Sequence, residues 1–303
     1  MTTPAQTPVA IVGPTATGKS DLAVELAARF EGEIVNADAM QLYRGMDIGT
    51  AKVPPEQRRG IRHHQLDVLE VRETASVAAY QRYARAAVES VLAAGRVPVI
   101  VGGSGLYVRA ILDELEFPGT DPVIRERLHA QADREGTPAM YERLRMHDPV
   151  AAAEILPSNT RRIVRALEVF ELTGRPFSAS MPKPGPARYG ATLIGLDREV
   201  DELDERVDAR VEHMFAAGLV EETGELCTHG LREGLTASRA LGYRQVLEYF
   251  DGTRTLDEAR QETARATRRF VRRQRSWFRR DKRLRWFDAG RADLLERVLD
   301  SVA

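Results

Sequence analysis

Eight residues near the N-terminus, Gly13-Pro14-Thr15-Ala16-Thr17-Gly18-Lys19-Ser20, match the spacing G-x4-G-K-S/T without a gap. Glycines at both ends let the backbone curl so that its N–H groups point inward at an anion, and the helix that follows adds roughly half a positive charge at its N-terminus. Lys19 neutralises phosphate oxygens as a point charge, and the Ser20 hydroxyl is placed to hold Mg²⁺. The chemistry is therefore binding of a phosphate or diphosphate, with Gly13, Thr15, Ala16, Thr17, Gly18, Lys19 and Ser20 as the cradle. The motif alone leaves open whether that phosphate belongs to a nucleotide.

Three further groups qualify the reading. Asn36-Ala37-Asp38-Ala39-Met40-Gln41 closes a short apolar run, which puts Asp38 at the C-terminal edge of a sheet, where open α/β folds bind ligands. A carboxylate there can ligate a metal, position a nucleophile or accept its proton. Val97 to Val101 ends in Gly102-Gly103-Ser104-Gly105, with no acidic residue to hold Mg²⁺ through water, so nucleotide hydrolysis loses weight; glycines there let the backbone approach a substrate, and Ser104 offers a hydroxyl. Arg244, in Ser238–Gln245, can aim a planar guanidinium at a diphosphate leaving group.

The elements that must position these groups follow from periodicity. Val9–Val12, Glu33–Ala37, Val97–Val101 and Ala191–Leu196 read as strands, and Asp21–Phe30 and Ser76–Ala94 as helices. Strands alternating with helices argue for a parallel sheet covered on both faces. From 118 to 190 the pattern turns helical, with Asp121-Pro122 as a cap, Gly136 as a stop, and a helix from Ser158 to Thr173. Met181–Gly190 reads as a linker. The expected organisation is a core formed by 1–117 and 191–303, interrupted by a helical insertion. Helices are expected over Asp201–Ala217, Val220–His229, Ser238–Phe250 and Leu256–Arg283.

Charge is distributed unevenly. The 303 residues carry 44 basic and 45 acidic side chains, yet Arg260–Arg285 holds twelve basic residues against Glu262 and Asp281. Arg265, Arg268, Arg272, Arg275 and Arg279 recur at three- and four-residue steps and form one helical stripe with few acids on its own helix. Salt-dependent binding of a phosphate backbone is expected there, at Arg268 and Arg272. Arg161, Arg162 and Arg165 form a second basic set. The lone Cys227 excludes an internal disulfide and suits a reducing cytoplasm, no apolar run reaches a membrane span, and the His63-His64 pair lacks metal-ligand spacing.

Taken in order, the cradle, Asn36–Lys52, His63–Asp67, Gly102–Tyr107 and Ala240–Gln245 closely resemble the bacterial tRNA dimethylallyltransferases, over about residues 9–287. The resemblance implies a P-loop core (P-loop NTPase-like, with helices on both faces of a parallel sheet), Mg²⁺, and transfer of a dimethylallyl group from dimethylallyl diphosphate to the exocyclic amine of the adenosine just 3′ of the anticodon. By position it assigns Thr15 to Ser20 and Arg244 to the diphosphate, with Thr15 and Arg244 catalytic, and makes Asp38 the base. It places tRNA, through its anticodon stem-loop, against Asp38, Ala39, Met40, Gln41 and Ser104, and against Arg161, Arg162, Ile163, Val164 and Arg165 of the insertion. No membrane partner and a monomer are expected. The competing readings are a prenyltransferase acting on free adenine nucleotide, a small-molecule kinase, and an RNA-binding protein with a vestigial P-loop.

Overall fold

The computed structural model describes residues 7–180 and 185–302. Six strands, β1 (Val9–Val12), β2 (Glu33–Asn36), β3 (His63–His64), β4 (Pro98–Gly102), β5 (Thr192–Asp197) and β6 (Arg285–Asp288), form one parallel sheet in the order β3-β2-β4-β1-β5-β6. The central strands are continuous apolar runs, as strands covered on both faces must be. Val9 and Ile11, with Ile34, Val99 and Ile194, face α1 (Lys19–Arg29). The alternate residues Ala10, Val35 and Ile100 are equally buried on the other face, where α2 (Val77–Ala93) and α3 (Gly105–Leu112) pack.

The chain divides into two compact units. One runs to Leu112 and resumes at Pro186; the other is Asp113–Gly185, against the 118–190 expected from sequence. The second unit is helical: α4 (Pro122–Glu135), α5 (Thr137–His147), α6 (Pro149–Glu154) and α7 (Thr160–Thr173). Asp121 caps α4 by accepting from the N–H groups of Val123 at 2.8 Å and Ile124 at 3.1 Å, and Gly136 at φ +83° ends it. Asn159, not Ser158, caps α7, because its side chain is the one that reaches the Arg162 N–H, at 3.2 Å. Residues 181–184 of the expected linker lie outside the described residues.

After β5 come α8 (Val200–Ala216), α9 (Leu219–Thr228), α10 (Tyr243–Phe250) and α11 (Leu256–Phe278), then β6 and α12 (Leu294–Val302). The helix expected from Ser238 starts only at Tyr243, since Gly242 sits at φ +87° and Ala237–Arg239 form a separate turn. Likewise α11 stops at Phe278, five residues before Arg283. Leu203 and Val207 of α8 and Val271 of α11 bury one cluster together with Ala16, which ties both helices to the cradle.

Candidate active site

Strand β1 delivers Gly13 to the C-terminal edge of the sheet between β4 and β5. Gly13 takes φ +147°, and a side chain there would overlap the Leu196 carbonyl, so only glycine lets the chain turn here. Thr17 Oγ1 donates to the Pro14 carbonyl at 2.9 Å and holds the loop curled. Gly18 at φ +84° then starts α1 with Lys19, whose Nζ donates to the Pro14 carbonyl at 2.6 Å.

A cleft of about 490 Å³ opens over this edge. Thr15, Ala16, Gly18, Lys19 and Ser20 line one side, Asp38 and Gln41 another, and Gly102, Gly103 and Arg210 close it. Burial, and then the Arg210 charge, push Lys19 down to about 7, while the negative charge of Asp38 works against them. Asp38 moves the opposite way: burial raises it, opposed by the Met40 N–H, which it accepts at 2.9 Å, by Lys19 and by the Gln41 N–H. Burial also pushes Tyr107 up to about 12 and Tyr80 well above its usual range, so both phenols stay protonated beside Asp38. Tyr80 donates to the Asn36 carbonyl at 2.8 Å, and its ring lies 4.5 Å from that of Tyr107.

The loop between β2 and β3 is fixed from below and behind. Lys52 is buried and donates to the Tyr43 carbonyl at 2.9 Å, to Asp47 at 2.5 Å and to Asp67 at 2.6 Å; its charge is spent on the loop. Glu222 of α9 accepts from the N–H groups of Asp47, Ile48 and Gly49 at 3.2, 2.8 and 3.3 Å and from the Tyr243 hydroxyl at 2.5 Å. Ser104 Oγ accepts from the Ala39 N–H at 3.1 Å, which joins the β4–α3 turn to the backbone next to Asp38. Gln41 donates to the Thr50 carbonyl at 3.1 Å, and Ala39 and Met40 are half-buried beside it.

The structure thus brings Thr15 to Ser20, Asp38 and Gln41 to one cleft, and it corrects four expectations. Arg244 is not among the residues that line the cleft; its guanidinium lies 3.5 Å from Glu248, one turn along α10. The cationic position facing the cradle belongs to Arg210, and Arg206 donates to the Ala16 carbonyl at 2.8 Å. Second, the arginine stripe is neutralised by acids from other elements: Arg268 pairs with Asp208, Arg272 with Asp204 at 2.7 Å, and Arg275 and Arg279 with Asp197 at 2.9 and 3.1 Å. Third, Ile163 and Val164 have 0% and 1% exposure and form the core of the second unit, so their side chains meet no partner. Fourth, Arg165 donates to the carbonyls of Pro118 and Gly119 at 2.6 and 3.0 Å and pairs with the buried Glu168 at 2.9 Å. Arg161 and Arg162 remain exposed.

Sequence reasoning missed Arg206, Arg210 and Gln274. The first two stand four residues apart inside an acidic stretch, Asp201–Glu212, a spacing that puts them on one helical face away from the acids. Gln274 of α11, 5% exposed, accepts from the Thr15 N–H at 3.0 Å and donates to the Gly103 carbonyl at 2.9 Å; nothing local marks it.

A parallel sheet with a glycine-rich turn at the switch point beside β4, two cations above it and a half-buried carboxylate across the cleft give a P-loop-like α/β core with one candidate site at the C-terminal edge of its sheet. The family model described as IPP transferase matches residues 41–281, and the chain belongs to that family. It is 65% identical to the tRNA dimethylallyltransferase of Saccharopolyspora erythraea, over 94% of this chain and 92% of that protein, and 60% identical to that of Salinispora tropica, over 97% and 92%. Among solved structures, the full-length tRNA isopentenylpyrophosphate transferase of Bacillus halodurans matches with a TM-score of 0.72 and 38% identity, over 98% of this chain and 94% of that one. Among the described residues no helix is long and apolar enough to cross a membrane.

Proposed function

We propose that this protein transfers a dimethylallyl group from dimethylallyl diphosphate to the exocyclic amine of the adenosine immediately 3′ of the anticodon in tRNA, releasing diphosphate. The observation that carries the reading is the shared cleft, in which Lys19, Arg210 and the cradle stand on one side and Asp38 on the other. An allylic diphosphate ionises once its leaving group is neutralised, so cations and N–H donors aimed at the diphosphate supply the useful stabilisation. The electron pair of the breaking carbon–oxygen bond passes to the diphosphate held by Thr15 to Ser20 and Arg210. The amine nitrogen forms the new bond to the allylic carbon, and its proton goes to Asp38. Burial suits Asp38 to that task, because a raised pKa makes it the stronger base.

Mg²⁺ fits the donor set. Ser20 puts one hydroxyl on the cleft, and no cluster of His, Cys, Asp and Glu competes among the described residues; Mg²⁺ is commonly bound by one or two protein oxygens with substrate phosphates and water. Bound there, the ion would add charge neutralisation at the diphosphate. A base stacked in an anticodon loop cannot enter a cleft of this kind, so the adenosine is flipped out to reach Asp38.

The test offers purified protein dimethylallyl diphosphate and Mg²⁺ with unmodified tRNA in one tube and AMP in another, followed by mass spectrometry of the nucleosides. A five-carbon gain on one tRNA adenosine is expected. Gain on AMP instead would make the protein a free-nucleotide prenyltransferase, and gain on neither would overturn the reading.

A further inference from the structure

The carboxylate of Glu222 pins a wall that has open space on both sides. Asp47, Ile48 and Ala217 border the cleft and also border a second cavity, of about 780 Å³. Asp47 and Ile48 belong to the loop between β2 and β3, and Ala217 closes α8. Packing alone does not fix a segment with voids on two sides, so bonds set its place. Glu222 takes the N–H groups of Asp47, Ile48 and Gly49, and a side chain at Gly49 would overlap the Tyr243 ring. The Ile48 side chain reaches the joint between α8 and α9, where its Cδ1 would stand 3.9 Å from a β-carbon on Gly218.

This wall stands at the apolar end of the cleft. Arg206, Arg210, Met214 and Ala217 follow one another along α8 at steps of three and four residues, so they share one face. Arg206 meets the cradle at the Ala16 carbonyl, Arg210 lines the cleft, and Met214 and Ala217 line it further on. At a rise of about 1.5 Å per residue, Met214 lies about 6 Å and Ala217 about 10.5 Å along the axis from Arg210. Ile48, Val53 and Pro54 line the cleft with them. A diphosphate held by the cradle and Arg210 therefore leaves its hydrocarbon to lie along α8 beside Met214, with the wall beyond.

We propose that Ile48, pinned through its backbone by Glu222 and backed by Ala217, sets the length of the prenyl donor by admitting one isoprene unit and stopping a second. This rests on the reading of the protein as a dimethylallyltransferase and adds the residue that restricts its donor. Room beyond the wall is ample: a cavity of about 150 Å³ is enough for benzene, and Val71 and Leu226 line the second cavity besides its carboxylates. A longer allylic diphosphate would react by the same step. Its carbon–oxygen electron pair passes to the diphosphate, the amine nitrogen bonds to the allylic carbon, and the amine proton goes to Asp38; only the space for the tail differs.

The experiment measures transfer from dimethylallyl diphosphate and from geranyl diphosphate to an unmodified anticodon stem-loop RNA. It compares the full-length protein with Ile48→Ala, Ile48→Val, Glu222→Gln and Val53→Ala, with inorganic diphosphate binding as the check that each variant is folded. The readout is the ratio of kcat/KM for the two donors, from which a general loss of activity cancels. Ile48→Ala removes the plug and should raise the geranyl-to-dimethylallyl ratio by about tenfold or more, and Ile48→Val should raise it by less. Glu222→Gln sets an amide N–H₂ against groups that are themselves donors, so it should loosen the wall and shift the ratio in the same direction. Val53 lines the cleft but not the second cavity, so Val53→Ala should leave the ratio near the parent's. If the parent transfers dimethylallyl to the RNA and folded Ile48→Ala keeps the parent ratio, or Val53→Ala raises it as much, the length limit is overturned and the proposed function stands. The limit also falls if the parent uses both donors equally, or if Ile48→Ala changes only the KM for RNA, which would put the base at this end of the cleft. If the parent transfers neither group to the RNA, the proposed function fails and the limit with it.

Discussion

Turnover should depend on a side chain that does not itself line the cleft. Gln274 lies 5% exposed between the cradle and the β4–α3 turn, accepting from Thr15 N–H and donating to the Gly103 carbonyl. Gln274→Met keeps the length and nearly the volume but removes both hydrogen bonds. An unsatisfied buried backbone group costs about 1–3 kcal/mol, so two of them put roughly 2–6 kcal/mol of strain on the present arrangement. The molecule relieves that by moving Thr15 and Gly103 toward water, and both border the cleft. A displacement of about 1 Å at a reacting centre can cost about 10²-fold in rate. Steady-state kinetics should therefore show kcat down about 10- to 100-fold, with the KM for RNA within about threefold. Gln274→Glu sharpens the case: its oxygen still accepts from Thr15, but an ionised carboxylate opposes the Gly103 carbonyl, so its deficit relative to the parent should narrow as falling pH protonates it. A folded Gln274→Met protein with kcat within twofold of the parent would refute the reasoning.

Four other perturbations separate the roles drawn above. Asp38→Asn should bind RNA normally and lose about 10²–10⁴-fold in transfer rate, and single-turnover rates near the parent's would remove Asp38 from the role of base. Burial and the Arg210 charge push Lys19 down to about 7, and a bound diphosphate favours its ammonium form. Binding should then take up a proton and weaken by up to about tenfold per pH unit above 7; calorimetry with metal-free inorganic diphosphate in buffers of different protonation heat, showing no proton uptake at pH 8, would contradict this. Arg210→Ala should cut diphosphate affinity and turnover by about 10²-fold while Arg244→Ala changes either by less than fivefold, and the reverse ranking in side-by-side kinetics would restore Arg244 to the site. In the second unit, burial pushes the Glu168 carboxyl up, but hydrogen bonds from Arg165, Arg125 and the Asp121 N–H outweigh it and hold the group below its usual value. Its contribution is present above about pH 4.5 and lost as pH falls, so Glu168→Ala should cost about 2–4 kcal/mol in urea unfolding at pH 7, the difference shrinking in acid.

What could be read in advance divides along physical lines. Val9–Val12 and Pro98–Gly102 are uninterrupted apolar runs, so their burial was visible. The cradle and Asp38 were visible too, because each depends on a backbone geometry written within a few consecutive residues. The strand Arg285–Asp288 has no apolar run and the strand His63–His64 is two residues long; both exist because an edge of the sheet was available to pair with. Arg210 reaches the cleft and Gln274 the cradle because Leu203, Val207 and Val271 pack their helices against Ala16, a contact between segments 187 and more residues apart. Arg244 was misplaced for the converse reason: its local motif was recognisable, but α10 turns the guanidinium toward Glu248.

The arginine-rich tail shows why a segment's net charge is the wrong unit for predicting what it binds. Asp204 and Asp208 lie on one face of α8 and answer Arg272 and Arg268 of α11. Arg206 and Arg210, two residues further along in each case, point about 200° away around the helix and serve the Ala16 carbonyl and the cleft. Alternating acid and base at that offset makes α8 a bridge: its acidic face fastens α11, which brings Gln274 to Thr15, and its basic face reaches the cradle and the cleft. The tail's excess charge is mostly consumed in this assembly. Among the described residues Arg273 and Arg280 have no carboxylate partner, and they lie on the side of α11 that carries Trp277 to the β4–α3 turn, so the packing that fastens α8 to α11 decides which of the tail's charges stay open to solvent.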